Sequence, residues 1–197
     1  VDTSWYTGNA STYTLTTASQ LMGLAELAKT NNFSGVTIKL GANITLNDVD
    51  ATTLAAWKAG STTPSRVWTP LGSATTPFAG KFDGQGHTIK GLYVSTTSDS
   101  VGMFGTVVTG VEIEDFELVD SYIKGAGKVG LVGNGTVTRI EKVYTNAIID
   151  STANMAGGFL GYYKGAYTDK AVGASENWAN GRITIKNCWF AEKTLNC

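Results

Sequence analysis

His87 is the only histidine in the chain, and it stands four residues after Asp83 in FAGKFDGQGHTIKGLYV, residues 78–94. An Asp/His pair can prime a nucleophile or order a metal, so this is the first place to look for catalysis. The pair has no company. The sequence holds no G-x-S-x-G elbow, and one histidine cannot build an H-E-x-x-H zinc motif. Asp83, Gly84 and Gly86 are turn formers, and both glycines tolerate positive φ. The stretch therefore reads as a turn followed by a strand that opens at His87, with no catalytic residue and no metal ligand set.

Glycoside hydrolysis needs two carboxyls flanking one bond. The densest acidic stretch is EIEDFELVD, which carries Glu112, Glu114, Asp115, Glu117 and Asp120. In a strand, Glu112, Glu114 and Glu117 project outward, and Glu141 stacks beside Glu114. Two facing carboxylates could raise one pKa. Lys90 and Lys186 fall in the same column, however, and Lys142 is adjacent, so a solvated charge ladder is the simpler account. The arginines are Arg66, Arg139 and Arg182. Arg139 is near Glu141 in sequence, but nothing more gathers around it to make the site of a lyase.

Sugar binding without cleavage has better material, because sugar rings stack on exposed aromatic faces. Tyr93, Tyr144 and Trp189 are expected to form one outward column. A long segment at 162–182, YYKGAYTDKAVGASENWANGR, adds Tyr162, Tyr163, Tyr167 and Trp178 beside Lys164, Asp169, Glu176 and Asn177. Long loops on rigid scaffolds often carry function. The competing account has these rings folding back to cover the core.

These residues need elements to hold them. Trp5, Tyr6 and Tyr13 are candidate anchors in a polar N-terminal stretch. Thr17 and Gln20 have capping-box spacing, and Leu21, Leu24, Leu27 and Ala28 form a helical stripe, predicting a helix over 18–30. Residues 36–40 and 44–47 alternate as strands. Residues 50–60 predict a short helix ended by Gly60. Beyond Gly80 the helical period vanishes and two repeats begin. VGMFG (101–105), VGLVG (129–133) and GGFLG (157–161) are spaced by 28 and 28. IKGLYV (89–94), IEDFEL (113–118), IEKVYT (140–145) and IKNCWF (185–190) run between them. Such a period means stacked coils sharing a core. Ile89, Ile113, Ile140 and Ile185 are expected in one inward column, and Leu92, Phe116, Val143 and Cys188 in another. Val94, Leu118, Thr145 and Phe190 make a third, in which the Thr145 hydroxyl needs a backbone partner.

The quoted segments together resemble the GLUG-type repeat domains of bacterial secreted and surface proteins, named from their occurrence beside IgA-specific metallopeptidases. The resemblance covers about 78–190, and the segment before it is similar to the one that usually precedes such repeats. It implies an all-β fold, a right-handed parallel β-helix (solenoid) with an N-terminal capping α-helix. It carries over no active site.

The expectation is one domain, with 1–35 as N-terminal segment and capping helix and 36–197 as coils, within a larger extracellular protein. Net charge is −1 with lysine and arginine scattered, so nucleic acid is not a partner. No apolar run is long enough to span a bilayer. Cys188 and Cys197 define neither a zinc site nor a disulfide framework, though a bridge between them remains open. No cofactor is expected. The leading function is a secreted or cell-surface module for adhesion or glycan contact, adjoined by other domains. The rivals are a polysaccharide-cleaving enzyme and a structural stalk. The last coil lacks an evident cover and is expected to meet further protein.

Overall fold

A computed structural model describes residues 1–135, 138–153, 155–163, 184–191 and 195–196. The N-terminal part comprises β1 (Thr12–Leu15), α1 (Ala18–Leu27), β2 (Thr37–Leu40), β3 (Ile44–Thr45) and α2 (Ala51–Ala59). Four circuits follow. The first holds β4 (Lys81–Lys90), β5 (Tyr93–Ser95), β6 (Ser100–Val101) and β7 (Phe104–Val107). The second holds β8 (Val111–Val119), β9 (Tyr122–Gly125), β10 (Lys128–Val129) and β11 (Val132–Gly135). The third repeats the order as β12 (Thr138–Thr145), β13 (Ile148–Ser151), β14 (Met155–Ala156) and β15 (Leu160–Tyr163). The fourth contributes β16 (Thr184–Lys186), β17 (Trp189–Phe190) and β18 (Leu195–Asn196).

Strands in equivalent positions pair in parallel, giving four sheets. The largest runs β1-β2-β4-β8-β12-β16, with β3 beside β4 and β17 beside β12. The others run β18-β13-β9-β5, β14-β10-β6 and β15-β11-β7. The protein is thus mostly β with two helices. The 28-residue spacing of the glycine pentapeptides reappears as register, since Phe104 faces Val132 and Val132 faces Leu160. The glycines serve close approach between circuits. A Cβ on Gly130 would lie 2.6 Å from the Gly157 carbonyl oxygen and 2.9 Å from the Gly161 nitrogen.

Both helices form where predicted. Thr17 caps α1 by accepting from the Gln20 amide at 3.2 Å, and the Gln20 side chain accepts from the Thr16 amide at 2.9 Å. Leu21, Leu24 and Ala25 of α1 enter the continuous core shared by all circuits. Asp50 caps α2, and Gly60 ends it in the left-handed conformation. Residues 37–40 and 44–45 are strands as expected. β1 was not foreseen in its Thr-rich stretch; Tyr13 and Leu15 face inward while Thr12 and Thr14 face out. Trp5, Tyr6, Tyr13 and Phe33 form one cluster, with centroids 5.0–5.7 Å apart.

Each inward column is corrected at its first member: His87, not Leu92, faces Phe116, and Val94 faces Ile123 of β9 rather than Leu118. Ile113, Ile140 and Ile185 do superpose, but Phe82 is the residue facing Ile113, and Ile89 faces Leu118. The cause is in β4. DGQG is not a turn before the strand but a bulge inside it. Asp83 faces Glu114 and His87 faces Phe116, so three residues oppose Asp115 alone. Gln85 and Gly86 take positive φ there; Gly84 does not. Gly84 is instead pressed against Phe116, and a Cβ would lie 2.6 Å from the Asp115 carbonyl oxygen. Thr145 is buried in the third column, and its hydroxyl accepts from the Ala147 amide at 3.1 Å, the backbone partner it required.

The same corner recurs in each circuit. Asp115, Lys142 and Asn187 have φ of 61°, 54° and 53°. A single left-handed residue reverses the pleat, so Ile113 and Phe116, three apart, both point inward. Two successive side chains then splay outward at every circuit. The corners superpose and make a furrow across the strands.

Candidate functional site

The furrow is a groove of about 250 Å3. Gly86, Asp115, Lys142 and Asn187 line it at the corner, and Glu117, Tyr144 and Trp189 line it beyond, over Phe116 and Val143. The second column follows from register. Thr88 faces Glu117, Glu117 faces Tyr144, and Tyr144 faces Trp189. The Trp189 ring is 70% exposed, the most exposed aromatic among the described residues. The Thr88 hydroxyl donates to Glu117 at 3.2 Å, and no ion pair within 4.0 Å involves Asp115, Glu117 or Lys142 among the described residues.

The expected aromatic column divides. Tyr144 and Trp189 share the groove. Tyr93 lies in β5, where it faces Tyr122 of β9, and it is buried. Helix α2 accounts for this. Val49, Leu54 and Trp57 cover the outer face of that sheet and close a second small core over Tyr93, Tyr122 and Ile148. Trp57 meets Tyr93 edge-on at 5.1 Å, and Tyr93 stacks on Tyr122 at 5.8 Å. Burial and the acceptor Asp150, 2.8 Å from the hydroxyl, hold the Tyr122 phenol protonated well above its usual range. Tyr93 therefore does not stand in an outward column; it packs within this second core. Tyr162 is 37% exposed but lies in β15, on another sheet, with the Lys128 ammonium 5.5 Å over its ring. The side chain of Tyr163, together with Tyr167 and Trp178, lies outside the described residues, as do Lys164, Asp169, Glu176 and Asn177.

The Asp83/His87 pair does not form. Asp83 accepts from the Gln85 amide and side chain at 3.1 and 2.6 Å, and His87 Nδ1 stands 3.2 Å from Asn43 Oδ1.

The acidic ladder is real but differently composed. Asp83 stands where Lys90 was expected, and Lys90 faces Val119 instead. Arg139, expected to stand alone, gathers three carboxylates: Glu112 at 3.1 Å, Glu114 at 2.8 Å and Glu141 at 2.7 Å. Lys81 meets Glu112 at 3.1 Å and Glu114 at 2.6 Å. The Lys81 hydrogen bond, with that of Arg139, outweighs desolvation and holds Glu112 below the usual carboxylate range. A general acid needs the opposite shift. Among the described residues no three His, Cys, Asp or Glu side chains gather as a metal site.

A pH prediction follows from that depression. The Glu112 contribution to stability is complete above the unfolded carboxyl value of 4.5 and is lost as pH falls through its lower folded value. Thermal melts between pH 6 and pH 3 should show Tm falling with acid. Glu112→Gln should flatten part of that slope, and raised salt should do the same. An unchanged acid slope in the variant would remove Glu112 from the account.

The groove residues Asp115, Lys142 and Asn187 were not picked out as a set from sequence. The available signal was the spacing of inward residues by three in IEDF and IEKV, which breaks the strand period and marks a left-handed corner. Asp and Asn favour that conformation, whereas Lys142 gives no such hint.

No family model matches the chain. A stretch of 166 residues is 30% identical to halomucin from Haloquadratum walsbyi; it covers 81% of this chain but only 2% of halomucin. The fold is similar to the crystal structure of a Bacteroides ovatus protein provisionally assigned as an immunoglobulin A1 protease, with a TM-score of 0.54 and 19% identity. That alignment covers 90% of this chain and 56% of the Bacteroides chain. No helix among the described residues is long and apolar enough to cross a membrane.

Proposed function

We propose that this chain is a right-handed parallel β-helix of the GLUG-repeat type, one domain over 1–197 in a larger secreted or cell-surface bacterial protein, and that it holds glycans without cleaving them. The handedness rests on the near-universal rule for parallel crossovers within one sheet. The larger context is supported by the halomucin match, where the similar stretch is a small part of a very long chain. Adhesion is the role such a module serves when its ligand sits on another surface.

The observation that carries the binding reading is the Trp189 ring, 70% exposed, aligned with Tyr144 along a polar groove. A planar apolar face next to carboxylate, amide and ammonium groups suits a sugar, which presents C–H faces and hydroxyls together. The carboxylates of the neighbouring ladder are engaged by Lys81 and Arg139, which favours binding over hydrolysis.

A glycan array with the intact chain and Trp189→Ala tests this. Binding should fall about tenfold or more in the variant, as for a central aromatic contact. Stability should hold, since the ring is mostly in solvent. Release of product from a polysaccharide would establish the enzyme reading instead. Silence on every glycan and every polysaccharide would leave the stalk.

A further inference from the structure

Resting on the glycan-binding reading, we propose that the groove takes a linear, uncharged glycan laid along the stacking direction, across the strands, with one sugar unit per circuit. Three observations support the orientation. The groove draws its residues from β4, β8, β12 and the segment ending in β17, so it crosses four neighbouring circuits. The lining residues superpose by register, which fixes their pitch at the strand spacing of ~4.8 Å. A sugar unit in an extended chain advances by a similar distance, so successive rings can meet successive circuits. Trp189 and Tyr144 are adjacent in that column, so two aromatic side chains lie one circuit apart along the groove.

The charge of the ligand follows from the other end. Beyond Tyr144 the column continues with Glu117, next to Asp115 at the corner. Neither carboxylate has a cation within 4.0 Å among the described residues. Carboxylates are hydrogen-bond acceptors. They suit hydroxyl donors of a third unit and repel a uronate or sulfate placed there. Lys142 supplies one positive charge against these two negative ones. A neutral chain satisfies the acceptors; an anionic chain leaves them opposed.

The test is calorimetric titration of the intact chain with neutral β-1,4-linked oligosaccharides of glucose, xylose, mannose and N-acetylglucosamine, each from one to six units, and with oligogalacturonates of the same lengths. For at least one neutral series, affinity should rise at least tenfold from the monosaccharide to the tetrasaccharide and then level off. The matching uronates should bind at least tenfold more weakly. Trp189→Ala and Tyr144→Ala should each lower tetrasaccharide affinity, and Glu117→Gln should narrow the gap between neutral and anionic chains. Binding that saturates with one unit, or that prefers oligogalacturonate, overturns this inference while leaving glycan binding intact. Absence of binding to any oligosaccharide overturns both.

Discussion

Gly102→Val is expected to destroy the folded stack rather than merely weaken it. A Cβ at residue 102 would fall 2.5 Å from the Leu131 carbonyl oxygen and 2.7 Å from that of Phe104, and would also strike the Gly130 carbonyl. These are backbone oxygens, so no side chain can swing aside. The neighbouring circuit would have to move away. Such movement breaks the parallel pairing of Val101 with Val129 and of Phe104 with Val132. Overpacking in a core ordinarily costs about 1–3 kcal/mol. Here lost ladder hydrogen bonds and lost core contact add to it, so the total should exceed ~3 kcal/mol, a large part of a domain's net stability. Urea denaturation should show a strongly lowered midpoint or no cooperative transition. A variant melting within a degree of the parent would mean that the circuits are not held at this distance.

Phe116→Ala is expected to cost about 3–5 kcal/mol, the usual range for removing a buried phenylalanine ring. Phe116 is buried between His87 and Val143 in its column. Its ring meets Phe82 edge-on at 5.3 Å, and Phe82 meets Phe104 in the same manner at 5.6 Å. The cavity left behind would open under the groove, because Phe116 also forms part of the groove floor. Stability and glycan affinity should therefore fall together in this variant, while Trp189→Ala lowers affinity alone. Denaturation and binding curves on both proteins separate the two effects. Equal stability losses in the two would contradict the different burial of the rings.

Much of the architecture could be read from residues alone because it depends on local chemistry and a repeated period. Thr17 with Gln20, and Asp50 with Gly60, announce their helices through capping groups that act within a few residues. The 28-residue glycine period survives as register because backbone contact between circuits tolerates no side chain. The failures have one kind of cause. Placing Ile89 opposite Ile113 ignored the two extra residues stored in the DGQG bulge, and from there the columns of Thr88 and Lys90 slipped as well. A period-2 pattern cannot register such an insertion. Tyr93 was read as exposed because its sheet face does point outward; nothing nearby in sequence tells that α2 returns to cover it. Arg139 shows only Glu141 near it in sequence, because the other two of its three carboxylates, Glu112 and Glu114, come from the neighbouring strand β8. Of the proposed ligand residues, Tyr144 and Trp189 meet in one groove, Tyr162 stands on a different sheet, and the remaining loop residues lie outside the described structure.

Each circuit of the largest sheet from β4 onward is bonded only to the circuits before and after it. Tension applied between the two ends of the module would therefore be resisted by one seam at a time rather than by all seams at once. Trp189 and Tyr144 lie on either side of one such seam. Parting it would separate the two rings and slacken the grip on a ligand while the other seams stayed closed.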